Sequence, residues 1–313
     1  MGTGIVSVDL VLGGHDGLSL IPLLIATIAW VALGLLLAGR FLFDRQRFER
    51  EAALPAALTG VAGTAVLGTR LTLLGWLWSG TGLLVIAGVL WLVLVVRVLR
   101  HWVTPTVGVS FVLVVSTESL ALLAANLGMA ERAAWLVILA VIPLALGVAL
   151  YGFVVAHFDV RQLVVGRGDH WVVGGALAIS ALACARITQA AQTLSVLGAG
   201  HGALLVATLA VWGAAFCWLP VLVVGELIWR RPGYDTRRWS TVFPVGMYAA
   251  CSFGAGTVAG VTPISDFASV WTWIGVAVWI TVLTAMLWQA VPLLRGERRH
   301  SVTEPRASEI LQA

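Results

Sequence analysis

Trp239 to Val261 reads WSTVFPVGMYAACSFGAGTVAGV. The stretch is long and apolar enough to cross a bilayer and carries no formal charge. It departs from a plain lipid-facing helix in two ways. Pro244 follows Phe243 directly, and a proline inside a helix removes a backbone hydrogen bond and bends it. Gly246, Gly254, Gly256 and Gly260 leave bare backbone along the stretch, where a second helix or a solute can come close. Any one of these glycines also suits simple helix–helix packing, just as a membrane phenylalanine ordinarily packs or faces lipid. In combination they predict a bent, pore-lining helix, with Pro244 and Gly246 at the bend and the ring of Phe243 as a plug.

The surrounding chain is of similar material. Of its 313 residues, 60% are hydrophobic and 11% charged, more apolar surface than a soluble domain of this size can bury. Ten spans are predicted, at about Met1–Leu12, Leu18–Ala38, Leu54–Leu74, Trp78–Val98, Thr104–Leu127, Ala133–Ala156, Trp171–Leu194, Ala203–Trp229, Trp239–Val261 and Phe267–Leu294. The first is at most about 18 Å of helix, short of a bilayer. It reads as the later part of a membrane helix, so either the span is short or the sequence begins part-way along it. Residues 1–294 form one membrane domain, and residues 295–313 are a polar tail. The connections are short, apart from the charged segment GRFLFDRQRFERE after the second span and HFDVRQLVVGRGDH after the sixth.

All nineteen basic residues are arginines, and their positions orient the chain. With the N-terminus in the cytoplasm, the even-to-odd connections hold Arg40, Arg45, Arg47, Arg50, Arg97, Arg100, Arg161, Arg167, Arg230, Arg231, Arg237 and Arg238. The tail adds Arg295, Arg298, Arg299 and Arg306, whereas the opposite connections hold only Arg132. Such a bias places both termini on the cytoplasmic side of a cell membrane. Trp76, Trp78, Trp102, Trp135, Trp171, Trp229, Trp239 and Trp271 fall near span ends, where indoles anchor at the interface. The net charge of +4 gives no reason to expect a nucleic-acid partner.

Odd spans are rich in small and polar residues: Thr59, Gly60, Gly63, Thr64, Gly68 and Thr69 in the third, Gly174, Gly175, Ser180, Thr188 and Gln189 in the seventh. Even spans are greasier, as in LLVIAGVLWLVLVV and WLPVLVVGELIW. The contrast predicts an all-α membrane protein of five helical hairpins, odd helices inside and even helices outside. No repeat is evident at the level of residues.

Ionisable residues inside the spans are few: Asp9, Arg70, Glu118, Arg186 and Glu226. Each is informative, because a charge at depth costs about 2.5–3.5 kcal/mol on insertion scales. Arg70, Glu118 and Arg186 each lie about fifteen residues beyond the start of an odd span, which predicts a common depth in the outer third. They read either as a ring of charge in an outer vestibule that attracts anions, or as an Arg–Glu pair tying helices together. Glu226 reads as interfacial, and Asp9 as a solvated residue at the outer end of the first span. The six histidines and Cys184, Cys217 and Cys251 lack metal-ligand spacing, and the cysteines read as core packing. HExxH, GxSxG, P-loop and CxxC motifs are absent from the sequence, so neither an enzyme nor a bound cofactor is expected.

Two stretches carry a family resemblance. MGTGIVS at Met1–Ser7 resembles the first-helix motif, and WSTVFPVGMYA at Trp239–Ala249 the ninth-helix motif, of the tellurite-resistance/dicarboxylate transporter family. That family takes in bacterial tellurite-resistance channels, fungal malate and sulfite transporters and plant slow anion channels. The resemblance implies five hairpins around a central pore, assembled as a homotrimer with one pore per subunit, and it places the family's gating phenylalanine on Phe243. Small inorganic anions or C4-dicarboxylates are the implied substrates. The alternative within transport is a proton-coupled malate-type carrier, or an exporter of sulfite or tellurite-type oxyanions, with Glu118 or Glu226 as the proton site.

Overall fold

A computed structural model describes residues 1–165, 168–198, 200–229 and 233–294. Arg167, Arg230, Arg231 and the tail with its four arginines lie outside the described residues. Helices follow one another as α1 (Gly2–Leu12), α2 (Asp16–Phe43), α3 (Arg45–Ala52), α4 (Thr59–Leu73), α5 (Leu77–Arg100), α6 (Val112–Ala130), α7 (Ala134–Ala156), α8 (Gln162–Val165), α9 (Trp171–Leu194), α10 (Gly200–Ile228), α11 (Trp239–Ala259) and α12 (Thr262–Leu294). Single 3-10 turns at Pro55–Leu58, Gly108–Phe111 and Thr236–Arg238 lead into α4, α6 and α11. Among the described residues nine helices are long and apolar enough to cross a membrane, and the short apolar α1 precedes them.

The five expected hairpins are present: α1–α2, α4–α5, α6–α7, α9–α10 and α11–α12. Their first helices pack in a closed ring, α1 on α4, α4 on α6, α6 on α9, α9 on α11, and α11 back on α1. Each second helix lies outside, resting on its own partner and on the next inner helix. Thus α2 touches α1 and α4, α5 touches α4 and α6, α7 touches α6 and α9, α10 touches α9 and α11, and α12 touches α11 and α1. Burial follows this division. Of a membrane-length window, 61–89% is buried in the long inner helices and 11–28% in the outer ones.

Small residues make the ring possible. Lipid is as apolar as leucine, so membrane helices associate through close packing and hydrogen bonds rather than through a hydrophobic driving force. A Cβ on Gly175 of α9 would lie 2.8 Å from the Pro244 ring of α11, and one on Gly68 of α4 would lie 2.7 Å from Leu123 of α6. At the C-terminal end of α11, Gly260 takes the left-handed φ of +66° that turns the chain into α12, a conformation glycine adopts without strain.

A residue-level repeat emerges that the sequence does not display. Four outer helices each send a tryptophan N–H to a hydroxyl of the next inner helix. Trp30 donates to Thr64 (2.9 Å), Trp91 to Thr117 (2.9 Å), Trp212 to Ser252 (3.0 Å) and Trp279 to Thr3 (3.2 Å). Thr64 and Thr117 lie five residues into their helices but Ser252 thirteen and Thr3 one, which hides the pattern from a linear reading.

Several expectations need correction. The segment after the second span is not an open connection: α2 continues to Phe43, and Arg45–Ala52 forms a separate helix. Arg40 and Arg47 both bind Glu51, the latter at 3.0 Å, which pins α3 beneath α2. Trp76, Trp78 and Trp135 are exposed near helix ends, as interfacial anchors are. Trp171 and Trp271 instead hold other side chains and backbone, donating to Glu226 (3.3 Å) and to the Val245 carbonyl (3.0 Å). Cys217 is exposed on outer helix α10, unlike buried Cys184 and Cys251.

Candidate functional site on the ring axis

Which way Phe243 points follows from its neighbours along α11. Val242 packs against Gly2 of α1, and Pro244 against Gly175 of α9. These are the two ring neighbours of α11. Val245 lies against Gly275 of α12, the outer helix. Phe243 is two residues from Val245, about 200° around the helix. It therefore lies between the α1 and α9 faces and away from α12, on the side turned to the ring's interior. No part of it is exposed to solvent (0%).

Pro244 and Gly246 are contact residues in this arrangement. α11 runs as one helix through Pro244, whose ring fills the space over Gly175. Gly246 faces α1, where an added Cβ would lie 2.7 Å from Ile5 and 2.8 Å from the Oδ2 atom of Asp9.

Arg70, Glu118 and Arg186 occupy three separate environments, and among the described residues no ion pair joins them. Arg70 is buried in the last turn of α4, between the middle of α1 and the first turn of α2. Its Nε donates to Ser7 Oγ at 3.0 Å and its Nη2 to Ser19 Oγ at 2.7 Å. Ser7 Oγ donates its own hydrogen bond to the Ser19 carbonyl at 2.7 Å. Glu118 lies between α6, α7 and α9, in space that Gly147 leaves open, and accepts from Ser180 Oγ at 3.0 Å. Arg186 lies six residues beyond Ser180 on α9, about 9 Å further toward the C-terminal end of the helix. The three side chains thus do not share one depth.

Arg186 alone of the three turns inward. Cys184 and Thr188, two residues to either side, bond to Leu204 and Thr208 of outer helix α10. Arg186 is therefore on the opposite face of α9. It is partly exposed and donates to Gln189 Oε1 at 2.8 Å. Among the described residues its hydrogen-bond partner is a neutral amide rather than a carboxylate.

Asp9 is not the solvated residue its position in the sequence suggests. It is 1% exposed, and among the described residues both carboxyl oxygens lack a hydrogen-bond partner. Being near the end of a short span misleads, because α1 belongs to the ring and is covered on every side. Thr69 Oγ1 of α4 is likewise buried without a partner, and its Gly-rich span is the only signal for it. Glu226 lies at the arginine-rich face, 3.1 Å from Arg238 Nη1. Among the described residues no group of three His, Cys, Asp or Glu side chains is placed to hold a metal ion.

Comparison with known proteins agrees with this architecture. Residues 1–287 match the family described as voltage-dependent anion channel. The chain is also 30% identical over 125 residues to an uncharacterized membrane protein of Mycobacterium tuberculosis, in strain CDC 1551 / Oshkosh and in strain H37Rv. The alignment covers 38% of this chain and 62% of each relative. No solved structure matches the chain.

Proposed function

This chain belongs to the voltage-dependent anion channel family over residues 1–287, and we propose that it passes small anions along the axis of the five-helix ring, with Phe243 as the gate. The observation that carries this reading is a fully buried aromatic ring on the interior side of α11, on a helix packed against both ring neighbours. A hydrophobic constriction closes a pore by steric block and by excluding water. Arg186 sits on the same interior side nearer the outer opening and raises the local concentration of anions. The ring's small side chains hold an anion weakly, which favours throughput over affinity. In this reading the protein works in the cytoplasmic membrane with its arginine-rich face and both termini inside, as a homotrimer with one pore in each subunit. Chloride efflux from proteoliposomes tests it: Phe243→Ala empties them at least tenfold faster than the parent, and equal rates refute the gate.

A second reading has its own observation. Glu118 is buried, with one carboxyl oxygen on Ser180 and the other unpaired among the described residues. Such a group suits a proton-coupled carrier of C4-dicarboxylates. Glu226, paired with Arg238 and partly exposed, suits that role less. Malate accumulation driven by a proton gradient, abolished in Glu118→Gln, favours the carrier over the channel.

A further inference from the structure

On the arginine-rich face, away from the ring axis, a cavity of about 1130 Å³ opens between α3, the end of α5 and the turns that lead into α4 and α6. We infer that it is a binding site for the phosphate headgroup of an anionic phospholipid.

Charge is the first ground. Arg50, Arg97, Arg100 and His101 line the cavity, with Glu49 as its single acid. Glu49 faces Arg45 at 3.5 Å, and Glu51 takes Arg40 and Arg47. The nearby carboxylates are thus matched by other arginines. Among the described residues Arg50, Arg97 and Arg100 have no acidic partner. Arg97 is held in place, its guanidinium 5.8 Å from the centre of the Phe48 ring, and Arg50 donates only to the Gln46 carbonyl at 3.3 Å. Guanidinium groups offer paired N–H donors that fit phosphate oxygens.

A second ground is an unused donor. Trp102 lines the same cavity, and its indole N–H is shielded from solvent yet donates to nothing among the described residues. The ring nitrogen Nδ1 of His101, also on the cavity wall, is engaged with the Arg97 carbonyl at 2.9 Å.

The third ground separates a lipid from a free anion. Leu54 and Val103, both on the cavity wall, are 55% and 74% exposed. α5 is an outer helix, and Val96 and Leu99 beside its arginines are exposed as well. A site with guanidinium groups at one level and bare aliphatic side chains beside them matches the junction of headgroup and acyl chain, where basic pockets between membrane helices take anionic lipid.

Binding of dioleoylphosphatidylglycerol to the full-length protein in neutral detergent, read by native mass spectrometry and by the thermal unfolding midpoint, tests the inference. Phosphatidylglycerol binds and raises the midpoint, while dioleoylphosphatidylcholine and millimolar inorganic phosphate do not. Replacing Arg97 and Arg100 by Gln weakens that binding about 25-fold, about fivefold per charge. Arg50→Gln, on separate helix α3, weakens it about fivefold and serves if the double variant does not fold. Arg132→Gln, on the opposite face, leaves it unchanged. Equal binding of phosphatidylcholine, or undiminished binding by the folded variants, overturns the site. An equal effect of inorganic phosphate overturns its assignment to lipid.

Discussion

Arg70 illustrates what a buried charge costs and how this chain meets that cost. Its guanidinium holds two serine hydroxyls on neighbouring elements, and one of them is passed on to a backbone carbonyl. Hydrogen bonds to a charged group are worth about 1.5–3 kcal/mol each, so Arg70→Ala is expected to lower stability by about 3 kcal/mol. Urea or thermal unfolding in detergent checks this. Arg186 differs, since its hydrogen-bond partner is the neutral amide of Gln189, and in the proposed channel it draws anions in. Arg186→Gln should reduce chloride current about two- to threefold at low ionic strength, with the difference vanishing near 1 M salt, where the Debye length is about 3 Å. At this scale the sequence is readable for residue type and poorly readable for direction. Rarity alone singles out Arg70, Glu118 and Arg186. Only neighbours such as Ser7, Ser180 and Thr188 reveal that one lies on the face of α9 away from α10 and two are packed between helices. Asp9 is misread for the same reason, since nothing in MGTGIVSVDLVL says that α1 is enclosed.

Hairpins are legible because hydropathy length, arginine clusters and the contrast of small with greasy residues all point the same way. α3 is less so: eight charge-rich residues resemble a loop until Phe48 and Ala52, four apart, are seen to share a buried face. Glu51 couples this helix to pH. Hydrogen bonding from Arg47 holds its carboxyl below its ordinary pKa despite a smaller opposing effect of burial, and Arg40 adds to the lowering. A lowered value in the folded state means that the attachment's stabilisation is complete above the ordinary carboxylate range and is lost as pH falls through the lowered value beneath it. Amide exchange in residues 45–52 should therefore accelerate on acidification, relative to its intrinsic rate, and Glu51→Gln should show the faster exchange already at neutral pH. The inter-helix tryptophans belong to this scale too. Trp91→Phe keeps an aromatic ring but loses the pyrrole ring with its donor to Thr117, an expected cost of at least about 1 kcal/mol. In a double-mutant cycle with Thr117→Val, the second change should add little to the first.

For the whole molecule, closure of the ring is the property hardest to read from the chain. α11 meeting α1 joins residues more than two hundred apart, as where Val242 packs against Gly2. Composition separates inner from outer helices, but it cannot say that five inner helices make a closed circuit. The four tryptophan–hydroxyl bonds lie at corresponding corners of that circuit, and the α7–α9 corner is the exception among the described residues, with Gly147, Glu118 and Ser180 in its place. That corner is where a buried acid replaces a simple bond, which is the structural basis for testing Glu118 as a proton site. Tight contacts around the circuit make it intolerant of bulk. Gly175→Leu would press on Pro244 and should destabilise the fold by about 1–3 kcal/mol, read as a lower unfolding midpoint in detergent. The claim that anions follow the axis past Phe243 is tested most directly by current across a planar bilayer under a potassium chloride gradient, for the parent and for Phe243→Leu, Phe243→Val and Phe243→Ala. Conductance should rise as the side chain shrinks, with a reversal potential near that of chloride. The same low conductance in all four, from protein shown to be folded, or a reversal potential near that of potassium, would contradict it.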